Sequence, residues 1–203
     1  MGLVTAHDPI FREDLFAQTA GWTPFYSDSR LKQRVRIEAG EAMYTESQLV
    51  IGAPVDAVVA KLRGEWTWWR QGRYRNRVEH ADGTIEYEHF PLRYIVHVNS
   101  TMYPPLKLEG GAWRIHVEIS DYMTGTLYFD VIPRTGGSSE IYSRFSGCRV
   151  TGPFRVLPYN GHIAARIHLL AERGDFFWPR GTGFVGLIED FEGPGNQRSA
   201  GTI

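Results

Sequence analysis

The sequence predicts an α+β domain: a curved antiparallel sheet of about seven strands wrapped around a long C-terminal α-helix. Three observations carry this reading. Residues 155–178 are the only long helix-compatible stretch after about a hundred residues that read as strands. Within it Ile163, Ala164, Ile167, Leu170, Ala171 and Phe177 recur at helical spacing and form one apolar stripe. Ahead of it, alternating apolar and polar segments are separated by turn signals such as Asp82-Gly83 and Gly136-Gly137. An amphipathic helix at the end of an antiparallel sheet buries its stripe across that sheet.

The elements follow in order. Asp8-Pro9 reads as a helix start, with Ile10, Phe11, Leu15 and Phe16 on one side. Trp22 to Ser29 reads as a loop, and residues 30–40 fit either a charged helix or an edge strand. Residues 1–40 are therefore taken as an N-terminal extension that could act as a lid. Residues 41–192 form the expected ligand-binding domain. Ala42 to Ile51 reads as a strand, and Pro54 opens a short helix with Val55, Val58, Val59 and Leu62 on one side. Gly64 ends that helix, and the indole-rich Trp66-Thr67-Trp68-Trp69 follows. Further strands are expected over 73–80, 85–90, 93–99, 113–120, 126–132 and 141–150. After Trp178-Pro179 come a Gly-rich segment and a short piece over 186–191. The polar tail, 193–203, is expected to be disordered.

Composition excludes several classes. The 203 residues suit one domain with a sizeable core. A formal net charge of -1 gives no general nucleic-acid-binding surface. No run of about 18 apolar residues occurs, so no membrane partner is expected. Residues 1–14 lack a basic region followed by an apolar run, so no signal peptide is expected. The single cysteine, Cys148, cannot form a disulfide within the chain and points to a reducing, cytoplasmic setting. Cys148 itself reads as a small core residue. The sequence is compatible with a homodimer.

The strand order β-α-β6-α resembles the helix-grip fold shared by START domains, plant pathogenesis allergens and bacterial polyketide cyclases. Residues 47–58, SQLVIGAPVDAV, carry the resemblance: a strand runs into a helix opened by a small residue and proline. The Trp66–Trp69 cluster falls where many members carry tryptophans. The resemblance spans residues 42–178, and it implies a cavity between sheet and helix.

Alternation sorts the side chains that would face such a cavity. The inward rows are Ile85, Tyr87, His89; Tyr94, Val96, Val98; Trp113, Ile115, Val117; Leu127, Phe129, Val131; and Ile141, Ser143, Phe145. Trp68, Trp69, Trp113, Phe129, Ser143, Phe145, Ile163 and Ile167 are the expected ligand-binding residues. A mostly apolar pocket with few polar groups suits a small hydrophobic partner, aromatic or polyketide-like. His89, Tyr87 and Tyr94 are the candidates for proton transfer in a cyclisation, dehydration or related step. A non-catalytic carrier of lipid-like ligands is the alternative. Neither reading calls for a cofactor.

A further alternative involves zinc. His168 and Glu172 lie i, i+4 on the helix, and with His89 they would make two histidines and a carboxylate. This resembles the phloroglucinol-type carbon–carbon hydrolases, whose last helix supplies His and Glu at this spacing. Residues 140–145, EIYSRF, are similar to the strand before that helix. Those enzymes use a further glutamate, and alternation turns the obvious candidate, Glu118, outward. The plainer reading of His168 and Glu172 is a solvent-facing ion pair. Arg114, His116 and Glu118 share the outward face and read as solvated, as do Arg73, Arg75 and Arg77. Residues 181–186 match GxGxxG in form but follow no strand of a βαβ unit. Glu189 and Asp190 read as a charged, solvated terminus.

Overall fold

The computed structural model describes residues 21–38, 43–64, 74–89, 98–121, 123–151, 160–174 and 183–193. Among the described residues ten strands form one sheet. They are β1 (Thr23–Ser27), β2 (Leu31–Ile37), β3 (Met43–Ile51), β4 (Tyr74–Glu79), β5 (Ile85–His89), β6 (Val98–Met102), β7 (Leu106–Lys107), β8 (Trp113–Asp121), β9 (Met123–Pro133) and β10 (Ser139–Val150). The order across the sheet is β1-β2-β3-β10-β9-β8-β6-β5-β4, with β7 paired to β8 off this path. Every pairing is antiparallel. Among the described residues three α-helices accompany it: α1 (Val55–Arg63), α2 (Asn160–Arg173) and α3 (Gly183–Glu192).

The strand count exceeds the expected seven. The ambiguous segment resolves into β2, which pairs with β3 over its whole length. The expected loop at 22–29 holds β1, a five-residue strand whose register shifts between Pro24 and Tyr26. Proline cannot donate to a ladder, but an edge strand leaves one side unpaired and tolerates it. The C-terminal helices differ in extent from the expectation. At the C-terminal end the described helical residues fall in two helices: α2, within the expected 155–178, and the ten-residue α3, in place of the short piece expected over 186–191.

Both α2 and α1 sit on one face of the sheet. The helix α2 packs on β2, β3 and β10 and against α3, while α1 packs on β8 and β9. Val55, Val58, Val59 and Leu62 of α1 are buried. They join Ile115, Phe129, Phe145, Phe184 and Leu187 in one continuous core. Burial of such side chains contributes about 1.5–3 kcal/mol each and drives the helices onto the strands.

The opposite face is not the simply solvated surface that alternation suggested. Arg114 points outward, yet it is only 5% exposed and donates to both oxygens of Asp130 at 2.6 and 2.7 Å. Arg34 Nε donates to Glu46 at 2.6 Å, and Arg144 stands 3.3 Å from the other Glu46 oxygen. His116 bonds Glu118 at 2.8 Å and stacks between Tyr103 and Tyr128. Long side chains on neighbouring strands of a broad sheet cover one another, so an outward charge is removed from water without facing the core. Arg77 is exposed, as expected, and pairs with Glu79 at its neighbouring same-side position at 3.1 Å. Asp190 pairs with Lys61 at 3.0 Å.

Candidate functional site

On α2, Ala165, His168, Leu169 and Glu172 fall at i, i+3, i+4 and i+7, one face of a helix. Ala165, Leu169 and Glu172 are buried, whereas Arg166 is exposed. The buried face therefore carries the polar pair. This overturns the expected solvent-facing ion pair: Glu172 is 1% exposed.

The sheet supplies what a buried carboxyl requires. Gln33 of β2, Ser47 of β3 and Ser143 of β10 lie directly opposite one another in one cross-strand row. Ser47 Oγ donates to one oxygen of Glu172, and Ser143 Oγ donates to the other. Gln33 Nε2 donates to Ser47 Oγ and to the backbone carbonyl of Leu169, both at 3.1 Å. One polar row of the sheet thus engages the last turn of α2.

Charge balance follows from this geometry. Burial disfavours the ionised form and pushes the Glu172 carboxyl up to about 7, although Ser143, Ser47 and Gln33 oppose the shift. Near neutrality the group divides between acid and carboxylate. Burial also holds the His168 imidazole down at about 4, so it is neutral. His168 Nε2 lies 4.0 Å from Glu172 Oε1, beyond hydrogen-bond length. Its ring tilts against Phe145 at a centroid distance of 4.8 Å. Two buried polar atoms here, His168 Nε2 and Gln33 Oε1, have no hydrogen-bond partner among the described residues. A neutral imidazole offers one accepting ring nitrogen and an amide oxygen accepts, so each can take a hydrogen bond from a hydroxyl donor.

The other expected site residues are dispersed. Tyr87 on β5 is half-buried against the core, and its phenol pairs with Ser100, the opposite residue on β6. Burial pushes that phenol up to about 12, so it is neutral. The strands β9, β8 and β6 separate β5 from β10, which places Tyr87 away from the Glu172 row. Phe129 and Phe145 are buried, and Trp113 is half-buried against the core. Ser143 faces inward as alternation required. Tyr94, Trp68 and Trp69 lie outside the described residues. His89 closes β5, and Ile163 and Ile167 lie in α2, but their side chains are outside the described set.

The zinc reading finds no support. Both Glu172 oxygens are engaged by serine hydroxyls, and the described residues hold no group of three His, Cys, Asp or Glu able to take a metal. Gln33 and Ser47 were missed as site residues. Their signal is that Ser143, Ser47 and Gln33 are polar at inward positions of three neighbouring strands, which demands a common partner.

No protein-family model matches the sequence, and no curated protein matches it either. Solved structures do. Human STARD10 superposes with a TM-score of 0.57 at 12% identity, covering 78% of this chain and 71% of that one. A STAR-related lipid transfer protein from Xanthomonas axonopodis gives 0.52 at 15% identity, covering 73% and 93%. The human StarD13 (DLC2) lipid transfer and protein localization domain gives 0.50 at 12% identity, covering 78% and 95%. The architecture is therefore an antiparallel sheet gripping its C-terminal helices. It is the START-like helix-grip fold.

Proposed function

We propose that the protein binds a small hydrophobic molecule, aromatic or polyketide-like, whose hydroxyl group docks under α2. The observations that carry this are two buried polar atoms without a hydrogen-bond partner among the described residues, His168 Nε2, whose ring tilts against Phe145, and Gln33 Oε1. An unsatisfied buried polar atom costs about 1–3 kcal/mol. A ligand hydroxyl donating there would offset that cost, while its apolar body would cover the inner face of the sheet. The lipid transfer domains among the similar structures support the same direction.

Displacement of a fluorescent apolar probe by polycyclic and long-chain alcohols, each beside its deoxy counterpart, tests the proposal. The alcohols should displace the probe at about tenfold lower concentration. Gln33→Leu and His168→Phe should shrink that margin. Equal displacement by alcohol and deoxy compound would contradict the reading.

A second reading adds turnover. A carboxyl titrating near 7 beside a neutral imidazole suits an acid–base step on the bound molecule. In it Glu172 and His168, in place of His89, Tyr87 and Tyr94, move the proton. Product formation that survives Glu172→Gln unchanged would exclude this step.

A further inference from the structure

The face of the sheet turned away from α2 carries a concavity of about 450 Å³. It is lined by Ser29 and Arg30 from the turn before β2, Lys32 of β2, Gln48 and Val50 of β3, and Arg134 beyond β9. Lys32 and Gln48 are cross-strand partners, one position along from the inward pair Gln33 and Ser47. They therefore point to the opposite side from Glu172.

The lining is cationic. Arg30, Lys32 and Arg134 contribute three positive charges, and none of the described lining residues is a carboxylate. Two of the cations are held from behind. Arg30 Nη2 donates to Glu192, which is fixed by the Gly52 N–H at 2.8 Å. Arg134 Nη1 donates to Glu140 at 2.6 Å, and Gln48 Nε2 donates to the other Glu140 oxygen. Arg30, anchored through one nitrogen, keeps further N–H donors for an incoming group. Lys32 is exposed and has no ion-pair partner among the described residues. Charge-assisted donors from three directions, with the Ser29 hydroxyl, suit a compact anion with several oxygens.

We propose that this concavity binds a phosphoryl group, at a site separate from the hydrophobic one. Its volume exceeds what a bare phosphate needs and falls in the range of small-molecule pockets, so the phosphoryl group is part of a larger molecule. A soluble phosphorylated compound and a phospholipid headgroup share this chemistry.

Calorimetric titration with glycerol 3-phosphate and with pyrophosphate, at constant ionic strength, covers the soluble source. Co-sedimentation with phosphatidylcholine vesicles, with and without phosphatidic acid, covers the headgroup. Saturable binding is expected in at least one arm. Lys32→Gln and Arg134→Gln should each weaken it about tenfold, the loss of one charge-assisted contact. Arg77→Gln, an exposed charge on the far edge strand, should leave it unchanged. Binding only to vesicles containing phosphatidic acid, lost in Lys32→Gln, would assign the headgroup as the source. Absence of binding in both arms would overturn the proposal. So would binding that Lys32→Gln leaves intact, or that Arg77→Gln weakens equally.

Discussion

At Glu172 a titratable group is buried against its own solvation, and the direction of its shift fixes how stability responds to pH. The folded-state value, about 7, lies above the ordinary 4.5. The stabilisation from this group is therefore complete below the unfolded value and is lost as pH rises through about 7. His168 behaves oppositely: its lowered value means stability is lost as pH falls from 6.5 toward about 4. Glu172→Gln removes that loss. Denaturant unfolding of wild type and variant across this range should show the variant gaining on wild type by up to about 3 kcal/mol above neutrality. Parallel profiles would contradict the assignment. Gly125 makes a second residue-scale case. Its φ is +154°, and an added Cβ would stand 2.9 Å from Phe145 Cε2 and 3.0 Å from Cys148 Cα. Gly125→Ala should cost about 1–3 kcal/mol, read as a lowered denaturation midpoint.

Among the elements, β8 and β9 share a buried ion pair that the core does not need. Asp130 is 1% exposed and Arg114 5%. Removing one partner strands a buried charge, so Asp130→Ala should destabilise by about 3–5 kcal/mol. Replacing both with apolar residues of similar size, Asp130→Leu with Arg114→Met, should recover most of that loss. If the double variant is as unstable as the single, the pair is more than a matched burial. The elements also show where the sequence was legible. Strict alternation located β8 from Trp113 onward, and Pro54 with four apolar partners located α1. The strand β1 escaped because Thr23-Pro24-Phe25-Tyr26-Ser27 has the composition of a turn, and only its pairing with β2 makes it a strand. The burial of Glu172 was hidden for a similar reason. Its hydroxyl partners lie 125 and 29 residues away, at Ser47 and Ser143, and local patterning carries no trace of that distance.

Across the whole molecule, polar chemistry is divided between the two faces of one sheet. The inner face is largely apolar, and its polar row of Gln33, Ser47 and Ser143 meets α2. The outer face carries the arginine-rich pairs and the cationic concavity. Helix α3 ties the two ends together, with Glu192 bonded to Arg30 ahead of β2 and to Gly52 after β3. In the inner cluster His168 Nε2 and Gln33 Oε1 have no partner among the described residues, and the proposed ligand hydroxyl would supply one. Native mass spectrometry of the protein purified from its source under non-denaturing conditions tests this most directly. The expected result is a stoichiometric, non-covalent mass that organic solvent releases as a hydroxyl-bearing apolar compound, and that Gln33→Leu with His168→Phe no longer retains. A bare wild-type chain that also fails to take up any apolar alcohol, or retention that the double variant does not diminish, would contradict it.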